Sequence, residues 1–204
     1  MKATALLEGV RPHSFFFAKI FIKFKGMQII MNIKQQLTLP ALFLACGLLL
    51  PIAFHMFGMA GKIFLPMHIP VLMAGLLLGW RKGLFIGILT PLLSSFLTGM
   101  PSLYPMAPIM SIELAVYGAT AGYLHYSKGL SILPSLISAL IAGRIAVALM
   151  LALFAEALNI KLSPWIYVMT SAANGMVGIV LQIIGIPPLV KKLEVYMQQV
   201  QAHN

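Results

Sequence analysis

The chain has 204 residues, of which 60% are hydrophobic and 9% charged, where a soluble domain carries roughly 25% charged residues. So few charges cannot coat a water-soluble surface of this size, and the apolar residues come in blocks, which excludes disorder by composition. The formal net charge of +10 invites a nucleic-acid reading, but the basic residues cluster before the first apolar block and at block ends, a distribution that serves lipid headgroups and topology instead of a phosphate-binding face.

The first thirty residues mix Phe15-Phe16-Phe17 with Lys19, Lys23 and Lys25. They lack the apolar core and small-residue cleavage site of a signal peptide. They read either as a basic amphipathic helix on the membrane surface or as a doubtful extension upstream of a start at Met27 or Met31. The domain reading is therefore residues 1–30 as extension, 31–192 as one membrane domain, and 193–204 as a cytoplasmic tail.

A spanning helix needs roughly 20 apolar residues, and six blocks of about that kind follow. They run from Leu37 to Met56, Phe64 to Leu78, Gly83 to Leu97, Ile109 to Tyr126, Leu130 to Ala155 and Pro164 to Val190. The second and third are short and separated by Trp80-Arg81-Lys82. A re-entrant pair is one reading; two spans are preferred, because Arg81 and Lys82 can lie among headgroups while Trp80 anchors the interface. The expected fold is an all-α integral membrane protein, a bundle of six transmembrane helices. Pro187-Pro188 is expected to break the sixth helix. Beyond it, Leu193, Val195, Tyr196 and Val200 allow a weak interfacial helix or a solvated tail.

Orientation follows from the charges outside the blocks. With the N-terminus inside, six spans return the C-terminus inside. Lys34, Arg81, Lys82, Lys128, Lys191 and Lys192 are then cytoplasmic, against Lys62 and Lys161 outside, as the positive-inside rule requires. Small residues four apart, Ala41 and Ala45, Gly83 and Gly87, Gly118 and Gly122, put flat faces on three spans where another helix can approach.

The polar residues gather toward the predicted outer side: His55, Lys62, His68, the connection Thr98–Pro108 with Tyr104, then Glu113, Ser171 and Asn174. Arg144 is the sharpest clue, since a charge near the bilayer interior costs about 2.5–3.5 kcal/mol on insertion scales. Either it forms a structural ion pair with Glu113, or its guanidinium contacts a ligand, for which a carboxylate or phosphate suits its fork. Glu156, twelve residues beyond Arg144, lies about 18 Å along a helix and is a poor partner. His68 stands between Pro66 and Pro70, where irregular backbone is tolerated if it lines a cavity; an interhelical hydrogen bond is the plainer role. His55 and His68 without a carboxylate or thiol cluster make a weak metal signal. The single cysteine, Cys46, excludes an internal disulfide.

The four acids are Glu8, Glu113, Glu156 and Glu194, with no aspartate. The chain has no phosphate-binding loop, no nucleophile elbow and no His-Glu-x-x-His, so neither ATP hydrolysis by this chain nor an enzyme built on His55, His68 and Glu113 is specified. Glu113 is the only serious intramembrane acid for ion coupling, and no internal repeat is evident.

Three stretches carry a resemblance: Ala41-Leu42-Phe43-Leu44-Ala45, Phe64-Leu65-Pro66-Met67-His68-Ile69-Pro70-Val71-Leu72-Met73-Ala74-Gly75, and Leu89-Thr90-Pro91-Leu92-Leu93-Ser94-Ser95. With six spans in about 160 residues and a long third-to-fourth loop, the chain from Met31 to Lys192 resembles the substrate-binding S components of energy-coupling factor (ECF) vitamin transporters, including niacin-type members. That resemblance implies a bacterial plasma-membrane subunit that binds a small vitamin beneath its outer loops, with no catalysis and no cofactor in this chain. It implies docking through Ala41 and Ala45 onto a membrane scaffold subunit, driven by two ATPase subunits that use ATP. Arg144, His68, Asn174, Glu113 and Tyr104 are the candidate substrate contacts. An aromatic acid would suit Arg144 with Tyr104, whereas a neutral vitamin would fit if Arg144 is structural. The alternative is a stand-alone carrier or channel for a small solute.

Overall fold

The computed structural model describes residues 37–54, 65–157 and 163–202. The readings placed on residues 1–30, His55, Lys62 and Lys161 lie outside them. The chain divides into two compact units, Met1–Leu39 and Pro40–Asn204, and the architecture below is that of the second. Among the described residues the secondary structure is entirely helical: α1 (Leu37–Phe54), α2 (His68–Leu78), α3 (Trp80–Thr98), α4 (Met106–Gly122), α5 (Ile132–Phe154), α6 (Pro164–Asn174) and α7 (Met176–Ala202). Helices α1, α5 and α7 are long and apolar enough to cross a membrane. Helix α2, with 11 residues, extends only about 17 Å.

Five of the expected blocks correspond to α1 to α5, with two changes of boundary. Trp80-Arg81-Lys82 is not a loop but the first turn of α3. The reversal between α2 and α3 takes place on one residue, Gly79, at φ 90°, where a side chain would be strained. Helix α4 ends in a wider π-helical turn over Tyr123–Ser127.

The sixth block departs further from expectation. It is two helices, α6 and α7, parted at Gly175, which leaves helical geometry at φ −89°, ψ 4°. Asn174-Gly175 pairs two weak helix formers, and the Leu65 side chain occupies the space a Gly175 side chain would need. Nor does Pro187-Pro188 stop the helix, since α7 runs through both to Ala202. Each proline removes a backbone donor, but Ile186 and Val190 on either side are buried at 1% and 0% exposure. Their burial holds the helix together across the defect. The segment after Lys192 is helical as well, with Leu193 and Met197 packed on the core and Val195 and Tyr196 exposed.

The core lies between α2, α3 and α4 and is closed by glycines. Gly83 of α3 faces Gly118 of α4, and a Cβ on Gly83 would stand 2.7 Å from the Gly75 Cα of α2. Gly87 abuts the Leu114 backbone, and a Cβ on Gly122 would stand 2.5 Å from the Trp80 nitrogen. Three helices thus meet backbone to backbone, the close approach expected of small residues four apart. Around this seam pack Val71, Leu72, Leu76, Leu114 and Ala121, all almost fully buried. Ser111 Oγ donates across it to the Ile88 carbonyl at 3.2 Å. Inside α3, Pro91 lacks the donor for the Gly87 carbonyl, and Thr90 Oγ1 donates to the Ile86 carbonyl at 2.6 Å.

At the opposite end of the core, the π-helical turn is tied to α7. His125 directs one ring nitrogen to the Leu130 carbonyl and the other to Glu194 Oε1 at 2.9 Å. One side chain thus ties the turn both to the segment that follows it and to α7.

Candidate functional site

Glu113 and Tyr117 stand four residues apart on α4 and so share one face. Both are buried, at 3% and 1% exposure. The Tyr117 hydroxyl donates to Glu113 Oε1 at 2.7 Å. Helix α5 brings Arg144 to the same oxygen, with Nη1 at 2.9 Å. The same Nη1 donates to Ser171 Oγ of α6 at 2.7 Å, and that hydroxyl in turn donates to the Val168 carbonyl at 3.1 Å. One carboxylate and one guanidinium thus join α4, α5 and α6.

Gly143 explains how α5 comes close enough. A Cβ there would collide with the Tyr117 ring and would approach the Glu113 carbonyl to 3.1 Å. The residue before Arg144 is therefore small because the tyrosine fills its space. The Tyr117 ring also packs against His68 of α2, with centroids 5.6 Å apart and planes tilted by 52°. Tyr167 of α6 lies within electrostatic reach of both Glu113 and Arg144 and packs on Ile109, Val147 and Leu151.

Three of the sequence-predicted contacts, Arg144, Glu113 and His68, are thus drawn into one constellation. Of the two roles open to Arg144, the ion pair with Glu113 is formed. It does not use up the guanidinium: among the described residues only Nη1 makes hydrogen bonds, and the side chain retains 15% exposure. His68 is 3% exposed, and its Nδ1 has no partner among the described residues.

Asn174 and Tyr104 are not drawn in. Asn174 is exposed at the end of α6, one turn beyond Ser171, and Tyr104 is 54% exposed in the connection between α3 and α4. That connection is braced by Ser94 Oγ, which donates to the Met100 carbonyl at 2.7 Å. Ala41 and Ala45 are exposed on α1 beside Leu42 and Leu49. Sequence reasoning overlooks Tyr117, whose only signal is its spacing from Glu113, and Gly143, whose only signal is adjacency to Arg144. Among the described residues no group of three or more His, Cys, Asp or Glu could hold a metal ion.

Apolar helices enclosing a buried charge pair are the architecture of an integral membrane protein with a polar interior site. The family model described as "ECF transporter, substrate-specific component" matches residues 35–190, which takes in α1 to α6, the Arg144 constellation and most of α7. The chain belongs to this family and is a substrate-specific membrane component of an ECF transporter. Comparison with curated proteins and with solved structures gave no match.

Proposed function

We propose that the chain binds a small vitamin-like solute at the outer face of the bacterial plasma membrane, against Arg144, Glu113 and His68, and delivers it inward with a scaffold subunit and two ATPases. The observation that carries this reading is the constellation itself. A guanidinium with donors unused by the described residues, and a buried imidazole nitrogen without a partner among them, are polar groups that a protein interior does not leave idle without a reason. Six membrane crossings with both termini cytoplasmic agree with the charge asymmetry of the loops. In that arrangement α6 and the short α2 together line the outer half, while α7 returns to the inner side.

The chain has no phosphate-binding loop, so ATP is used by the partner ATPases, and this subunit acts as a binding protein without catalysis or cofactor. Docking on the scaffold is assigned to the α1 face with Ala41 and Ala45, whose small side chains permit close helix approach. Tyr104 and Asn174 would belong to the site only through movement of the α3–α4 connection and of α6.

Uptake reconstituted in liposomes tests the reading. Flux is expected only when scaffold, ATPases and ATP are present. Flux through this chain alone would establish the stand-alone carrier instead. Ala41→Trp should leave solute binding intact and abolish uptake; normal uptake in that variant would remove α1 from the docking face.

A further inference from the structure

If the chain binds its solute where proposed above, the charge of the site limits what that solute can be. Glu113 and Arg144 form a 2.9 Å pair whose side chains are 4% and 15% exposed. Among the described residues, the ionisable groups within electrostatic reach of this pair are Tyr117 on α4, Tyr167 on α6 and His68 on α2. The tyrosines are neutral phenols, and a histidine that is 3% exposed, packed on the Tyr117 ring and without an acid partner among the described residues is held neutral. Counted over the described residues, the site therefore carries one positive and one negative charge and no net charge before any solute enters. A carboxylate placed on Arg144 would leave two negative groups sharing one guanidinium in surroundings of low dielectric, where an unbalanced charge is costly. Its attraction to Arg144 would be offset by repulsion from Glu113.

The hydrogen-bonding groups still open are neutral in their demand. Among the described residues only Nη1 of Arg144 is engaged, so its other guanidinium nitrogens offer donors, and Nδ1 of His68 offers one further polar contact. A carbonyl of an amide or cyclic urea can accept from a guanidinium without bringing charge.

We infer that the Arg144 site selects a small polar solute of no net charge, carrying a carbonyl-type acceptor, and that Glu113 is the residue that excludes carboxylates. Tyr117 contributes by fixing the Glu113 carboxylate at the distance that neutralises Arg144. This inference rests on the binding role proposed above, and it narrows the substrate away from the small acids that an unpaired arginine would favour.

The test is untargeted mass spectrometry of the small molecules that co-purify with the full chain and with its Glu113→Gln variant, each checked for folding by size exclusion. The wild type should retain a molecule of zero net charge at pH 7. Glu113→Gln, whose Arg144 lacks a counter-charge, should enrich carboxylates at least tenfold over the wild type. A carboxylate on the wild-type chain would overturn the inference while leaving the binding role standing. A folded Glu113→Gln that keeps the wild-type molecule and enriches no acid would remove Glu113 as the selective residue. If the variant does not fold, the wild-type result alone decides the charge of the solute. No small molecule on the wild type would overturn the binding role and the inference with it.

Discussion

The glycine seam and the Arg144 constellation both bring helices together, but by opposite means. In the seam, Gly75, Gly83, Gly87, Gly118 and Gly122 let backbones of α2, α3 and α4 touch. At the constellation, α4, α5 and α6 are joined by polar side chains that bridge between them. Backbone contact cannot relax when an atom is added, whereas a side-chain bridge can rotate or admit a small molecule. The first region supplies a fixed frame, and the second supplies the adjustable part. The distribution of burial agrees: nine of the eleven residues of α2 are buried and none of α6.

The sharpest way to break the comparison is to remove one partner of the charge pair. Arg144→Ala should cost about 3–5 kcal/mol, because Glu113 is left buried and unpaired. Replacing Arg144 and Glu113 together by apolar residues should cost much less than the sum of the single changes. Chemical unfolding in detergent measures both, and additive losses would show that the two residues are not coupled. Next in size is Gly118→Ala. A Cβ there would stand 2.9 Å from the Gly83 Cα, and overpacking of this kind costs about 1–3 kcal/mol. If Gly118→Ala proves neutral in the same assay, the seam is looser than backbone contact.

Tyr117→Phe deletes one donor to the Glu113 carboxylate while keeping the ring that fills the Gly143 space. The expected loss is about 1.5 kcal/mol, and a loss near that of Arg144→Ala would instead mark the hydroxyl as essential to the frame. Gly185→Ala on α7 is the smallest change. Among the described residues nothing lies within 4 Å of its added Cβ, so a gain of about 0.4–1 kcal/mol is expected from the stiffer unfolded chain. Destabilisation there would mean that a glycine outside the seam is also packed.

Much of the frame was legible in the residues. The Gly83/Gly87 and Gly118/Gly122 spacings mark faces that do pack closely, because placing two small residues on one helix face depends on local geometry alone. Gly75 stands four residues before Gly79 and so carries the same spacing, but that it packs on Gly118 and Gly83 is found only by where α2 lies. The Glu113–Arg144 pair could be named as one of two roles for Arg144, since a charge among apolar residues must find something. Which role it takes depends on the approach of α5 to α4, which Gly143 and Tyr117 set together.

The helix ends divide in the same way. Composition and block length determined by themselves that this is a helical membrane protein, because a chain this poor in charge can satisfy its backbone in lipid only within regular structure. The continuation through Pro187-Pro188 ran against the local signal, and the break at Gly175 had only the weak helix formers Asn174-Gly175 to mark it inside a long apolar block. Leu65 fills the space at Gly175, and Ile186 and Val190 are anchored in the core. Only the tertiary structure decided these, because a proline's missing hydrogen bond is a local deficit while the burial that outweighs it is supplied by residues far away in sequence.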